Sequence, residues 1–158
     1  MQARVPGQKT PQLMLRLKRE AEDIYNNYKD TLLLDIKDHE QCIWHIHFKG
    51  AEGSVYAGEL YTLQFKYTDQ YPFESPEVQF IGKPPEHEHI YSCGFICLSI
   101  LDSDWTPALK TSSVVLSIMS MMSSAKKKMK PVNDQESSRY MAGKSPKDIR
   151  WVFEDDKC

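Results

Sequence analysis

Short runs of alternating, β-branched and aromatic residues follow one another along the chain, and their succession constrains the fold more than any other feature. The runs are Leu32-Leu33-Leu34-Asp35-Ile36, Cys42-Ile43-Trp44-His45-Ile46-His47-Phe48, Tyr61-Thr62-Leu63-Gln64-Phe65-Lys66-Tyr67 and Val78-Gln79-Phe80. A period of two sends alternate side chains to opposite faces, as a half-buried strand requires. Lys49-Gly50-Ala51-Glu52-Gly53 turns between the second run and the third, so an antiparallel four-stranded meander is expected. Ahead of it, Leu13, Leu17, Ala21, Ile24 and Tyr28 recur at helical spacing behind Pro11, a good helix starter. Arg16, Lys18 and Arg19 fall towards the exposed side of that helix. Val114, Val115, Ile118 and Met121-Met122 predict a second, central helix. The fold class expected is α+β.

From Tyr71 to Leu109 the chain is proline-rich and has few periodic positions. An ordered loop of that length in a compact domain is usually functional. The first ten residues contain Pro6 and Gly7 and no apolar stripe. Residues 1–10 are therefore expected to be a disordered lead, and residues 11–158 a single domain. At 158 residues, 41% hydrophobic and 27% charged, the chain can bury an ordinary core. A net charge of -2 gives no global attraction to nucleic acid. No apolar run approaches the roughly 20 residues of a membrane span, and the first residues lack the apolar stretch of a secretory signal. The cysteines, Cys42, Cys93, Cys97 and Cys158, are scattered, not framed as disulfide pairs. Cytoplasm and nucleus are the compartments expected.

The chemistry concentrates in Gly94-Phe95-Ile96-Cys97-Leu98-Ser99-Ile100-Leu101, followed by Trp105-Thr106-Pro107-Ala108-Leu109 and preceded by Tyr71-Pro72-Phe73-Glu74-Ser75-Pro76. On residue type alone Cys97 is either a nucleophile or a buried, inert thiol. A nucleophilic thiol must be accessible, partly ionised and backed by donors for the oxyanion it generates, because at pH 7 an ordinary one is only a few per cent thiolate. The three segments, in this order and spacing, resemble the ubiquitin-conjugating enzymes over roughly residues 11–130. That resemblance implies the fold of the family: an N-terminal helix, a four-stranded antiparallel meander sheet, an active-site loop, a central helix and here a variant C-terminal tail. It implies that Cys97 carries ubiquitin as a thioester received from the activating enzyme and passes it to an amine. Phe73, Pro107 and Ala108 would then meet a RING or U-box ligase, and Arg16, Lys18 and Arg19 the activating enzyme. No metal or small cofactor is implied, and neither nucleic acid nor membrane is expected as a partner. Packing of the loop against the domain is the alternative role for Phe73.

Departures from the family pattern narrow the reading. Where the family has His-Pro-Asn, this chain has His87-Glu88-His89. By resemblance His87 orders the loop, and His89 stands where an asparagine supports the loop and the oxyanion. A position where many members carry an acid that helps the incoming lysine is Met129, within Ala125-Lys126-Lys127-Lys128-Met129-Lys130. A lysine is neutral about once in 2,500 molecules at pH 7 and an α-amine about once in seven, so an α-amine needs far less help from a base. The histidine at position 89 and the tail Trp151-Val152-Phe153-Glu154-Asp155-Asp156-Lys157-Cys158 resemble the W-type members, which attach ubiquitin to the α-amine of substrates with flexible N-termini. Trp151 would then form a wall on the acceptor side. Glu88 departs even from that class.

Other readings remain open at this level. A catalytically inactive, ubiquitin-binding scaffold of the same fold is one, although such a chain need not keep Cys97. A zinc-binding module using His87, His89, Cys93 and Cys97 is another, with a spacing that matches no common finger. Cys93 is either a spectator or a partner for Cys97 in a reversible disulfide. His45 and His47 share one strand face, as cross-strand packing would use them. The lysine run suits a solvated helix end whose charge complements the dipole.

Overall fold

A computed structural model of the chain describes residues 9–153. The expected lead therefore lies outside the described residues as far as residue 8, as does the tail after Phe153. Helix α1 runs Pro11–Tyr28; the Thr10 side chain accepts from the Leu13 N–H at 3.1 Å, and Pro11 occupies the first turn, where no N–H is missed. Strands β1 (Leu33–Asp38), β2 (Ile43–Lys49), β3 (Leu60–Lys66) and β4 (Glu77–Ile81) follow. They form an antiparallel sheet in the order β1-β2-β3-β4, so the meander read from alternation is present. Helices α2 (Thr111–Ser123) and α3 (Asp134–Met141) and a short 3-10 turn at Pro146–Asp148 complete the chain.

One face of the sheet is the core. Trp44, Ile46 and Phe48 of β2, Tyr61, Leu63 and Phe65 of β3, and Val78 and Phe80 of β4 are buried beneath Leu13, Leu17 and Ile24 of α1 and Val114, Val115 and Ile118 of α2. Each such side chain contributes about 1.5–3 kcal/mol by leaving water. The opposite face is half-buried, and there His45 bonds Gln64 at 3.1 Å and His47 bonds Thr62 at 2.7 Å across the strand pair. These are the cross-strand roles expected.

Three features were not anticipated. Glu20, on the buried stripe of α1, is only 3% exposed. Arg16, expected on the open side of that helix, is half-buried and pairs with Glu20 at 2.8 Å, while Lys18 and Arg19 are exposed. Helix α2 stops at Ser123, so Lys126-Lys127-Lys128 lie past the helix end; Lys128 turns back to Glu59 at 2.5 Å, 5.8 Å from the Tyr56 ring centre. The third, α3, escapes a stripe search because Met141 is its one buried residue.

Candidate active site

Cys97 follows a small hairpin built after β4. Ile90 bridges Ile96, and the Tyr91 N–H donates to the Phe95 carbonyl at 2.9 Å, so the turn falls at residues 92–94. Gly94 makes that turn possible: its φ is +96°, and a Cβ there would lie 2.2 Å from the Phe80 carbonyl oxygen. The close approach lets the Phe80 N–H donate to the Gly94 carbonyl at 2.8 Å, stapling the hairpin to β4. Beyond the hairpin the Cys97 N–H donates to the His89 carbonyl at 2.8 Å. The backbone of the candidate nucleophile is thus fixed to that of His89. Cys97 is 7% exposed.

The segment opposite Cys97, residues 86–90, is tied to the rest of the fold. The Tyr56 hydroxyl donates to the Glu86 carbonyl at 2.5 Å; burial, then the nearby Glu59 carboxylate, push this phenol up to about 12. Next to it, His87 is buried, and its Nδ1 accepts from the His89 N–H at 3.0 Å. That bond leaves the ring proton on Nε2. Burial, with His89 alongside, lowers the His87 pKa below its ordinary 6.5, so the imidazole is neutral at pH 7. The ring of His89 lies 5.4 Å from that of His87, and its Nε2 is 3.8 Å from Glu88. His87 therefore sits in a loop-ordering position. His89 is half-buried above it.

The turn is held from the C-terminal side. Asp134, at the start of α3, accepts from the Ser92 N–H at 2.8 Å and from its hydroxyl at 2.5 Å, and the Ser138 hydroxyl accepts from the Cys93 N–H at 3.3 Å. Although burial pulls the other way, the bonds from Ser92 and from the Ser138 hydroxyl hold the Asp134 carboxyl below its ordinary value. Cys93 is thus at the turn against α3, while the chain runs away from it to Cys97 opposite His89. Cys93 and Cys97 are both free thiols, not joined to each other. Among the described residues no group of three or more His, Cys, Asp and Glu is gathered as metal ligands would be. Trp151 returns to this region: its ring lies 5.9 Å from that of Tyr91, and with Ile96 and Leu101 it lines a cavity of about 40 Å³.

A second cluster lies around the loops at 71–76 and 105–109. Phe73 is 79% exposed, and Pro107 and Ala108 are exposed. The Trp105 indole N–H donates to the Pro72 carbonyl at 2.8 Å, joining the two loops. Arg16 joins them to α1, its Nη2 donating to the carbonyls of Pro107 and Leu109 at 2.9 Å each. Met129 is 41% exposed in the irregular segment after α2.

A helix on a four-stranded meander, with a cysteine held beside a histidine-lined loop ahead of the central helix, is the α+β architecture of the ubiquitin-conjugating fold. The sequence profile for ubiquitin-conjugating enzyme matches residues 16–152, and the chain belongs to that family of transferases. Its similarity within the family runs to the W type. It is 48% identical over 141 residues to a probable ubiquitin-conjugating enzyme E2 W of Dictyostelium discoideum, covering 89% of this chain and 94% of that one. It is also 48% identical over 144 residues to ubiquitin-conjugating enzyme E2 W of Caenorhabditis elegans, with coverage of 89% and 94%. The crystal structure of ubiquitin-conjugating enzyme E2 UbcA1 from Agrocybe aegerita superposes with a TM-score of 0.77 at 36% identity, covering 84% of this chain and 96% of that one.

Proposed function

We propose that this enzyme, through a catalytic domain over residues 11–158, carries ubiquitin on Cys97 and delivers it to the α-amine of substrates with flexible N-termini. In the first step the Cys97 thiolate attacks the thioester carbonyl on the activating enzyme, whose own thiol leaves. In the second, a neutral amine attacks the new thioester, an oxyanion forms, and its collapse breaks the bond to the Cys97 sulfur and leaves an amide. His89 supports the loop and offers an N–H for that oxyanion; His87 keeps the loop in place. Trp151, beside the hairpin, walls the acceptor side. Lys18 and Arg19, with the open side of Arg16, meet the activating enzyme. Phe73, Pro107 and Ala108 meet a RING or U-box ligase, since exposed aromatic and proline side chains bury area with little rotamer loss.

The observation that carries the α-amine reading is the segment 124–130. It holds no carboxylate, and Met129 is exposed on it. An acceptor that is already neutral about once in seven at pH 7 loses little by that absence, whereas a lysine loses its base. The test compares a flexible peptide with its Nα-acetylated form, both keeping their lysines, as acceptors of ubiquitin from the charged enzyme. Acetylation is expected to abolish most transfer, and equal transfer to both peptides would assign the enzyme to lysine. Charging that survives Cys97→Ala would remove Cys97 from the role.

A further inference from the structure

The ligase-facing loops are joined through one buried carboxylate. Glu20 is 3% exposed, and its partners come from α1 itself, from Tyr71 and from the start of α2. The Tyr71 hydroxyl lies 2.8 Å from Oε1 and 2.7 Å from Oε2. The Thr111 N–H, at the first turn of α2, donates to Oε1 at 2.6 Å, and the Thr111 hydroxyl donates to the same oxygen at 2.9 Å. Arg16 Nε donates to Oε2 at 2.8 Å while its Nη2 holds the carbonyls of Pro107 and Leu109. The carboxylate therefore sits where α1, the loop before Phe73 and the loop ending at α2 converge. Burying a charge is costly unless it is fully paired. Here the buried charge ties loops together and adds nothing to the apolar core.

We infer that Glu20 is a positioning residue for ligase-stimulated transfer: through Tyr71, Arg16 and Thr111 it sets the spacing between Phe73 and the Pro107-Ala108 pair. The inference rests on the ligase-facing reading of those three residues. The geometry favours it over a role in stability alone because Arg16 commits its second nitrogen to the carbonyls of the exposed loop itself. A carboxylate that only completed the core would have no reason to fix them. The Tyr71 ring is also 5.9 Å from Trp105, whose indole holds Pro72, so the hydroxyl and the ring of one residue brace both loops.

The experiment uses pre-charged enzyme and measures discharge to an amine against ligase concentration for Glu20→Gln, Tyr71→Phe and Phe73→Ala. Glu20→Gln keeps shape but presents one amide N–H₂ among donors, and Tyr71→Phe keeps the ring and removes only the hydroxyl. Both should raise the half-saturating ligase concentration by about three- to tenfold, with unstimulated discharge and the maximal stimulated rate changed by less than about twofold. Should Glu20→Gln fail to fold, Tyr71→Phe carries the test. If Phe73→Ala raises the half-saturating concentration and Tyr71→Phe does not, Glu20 is no positioning residue and the surface stands. If Phe73→Ala changes nothing, the surface reading itself has failed. A proportional fall in unstimulated discharge, stimulated discharge and melting temperature would reduce Glu20 to a structural role.

Discussion

Replacing Gly94 by alanine tests how the nucleophile's hairpin is held. The substitution meets two costs at once. An L side chain at φ +96° lies in the left-handed half of backbone space, at about 1–2 kcal/mol. The added Cβ would also stand 2.2 Å from the Phe80 carbonyl oxygen, against an ordinary contact of 3.4 Å or more, so β4 and the hairpin must part by more than an ångström. That movement breaks the bond from the Phe80 N–H to the Gly94 carbonyl, and a buried donor left unpaired costs about 1–3 kcal/mol. The sum, about 2–5 kcal/mol, is a large part of a typical domain's stability of about 5–15 kcal/mol. At about 2–4 °C per kcal/mol for a chain of this size, the midpoint of a thermal melt should fall by about 5–20 °C. Gly53 is the control, because its φ is +78° and a Cβ added there would meet nothing within 4 Å; Gly53→Ala should show the backbone cost alone, about 1–2 kcal/mol. Charging of Cys97 should fall in Gly94→Ala even well below its melting midpoint and hold in Gly53→Ala. Equal melting midpoints for the two variants would refute the clash and the role assigned to the staple.

Two further outcomes are expected. His87 has a folded pKa below 6.5, so its contribution to stability is complete above that value and is lost as pH falls towards the folded pKa. The urea midpoint of the wild type should therefore drop more between pH 7.5 and 5.5 than that of His87→Gln, and parallel drops would show that His87 does not titrate with folding. His89→Ala should slow discharge to amine by about ten- to a thousandfold while charging by the activating enzyme is largely kept; equal losses in both steps would make His89 a purely structural residue.

Alternation and helical stripe made the sheet and both main helices legible because those elements are held by apolar burial, which leaves a period in the sequence. What escaped is held by polar contacts, which leave none. Glu20 falls on the buried stripe of α1, but its charge reads as solvent-facing until Tyr71 and Thr111, 51 and 91 residues away, are seen to satisfy it. Arg16 looks like its exposed neighbours Lys18 and Arg19, and only folding brings the Pro107 carbonyl within its reach. Helix α3 grips the hairpin through Asp134 and Ser138 and buries only Met141. The motif around Cys97 was legible in sequence; the enclosure of its side chain was not, because that depends on how the hairpin seats against β4.

The contacts from α3 to the turn also order events in time. Ser92 and Cys93 find their partners in Asp134 and Ser138, 42 and 45 residues further along. During synthesis the ribosome therefore releases the cysteine-bearing hairpin long before the side chains that close it. A nascent chain that has exposed Cys97 but not yet Ser138 owns the thiol without the clamp on its turn, and the same holds for any truncated product ending before Asp134.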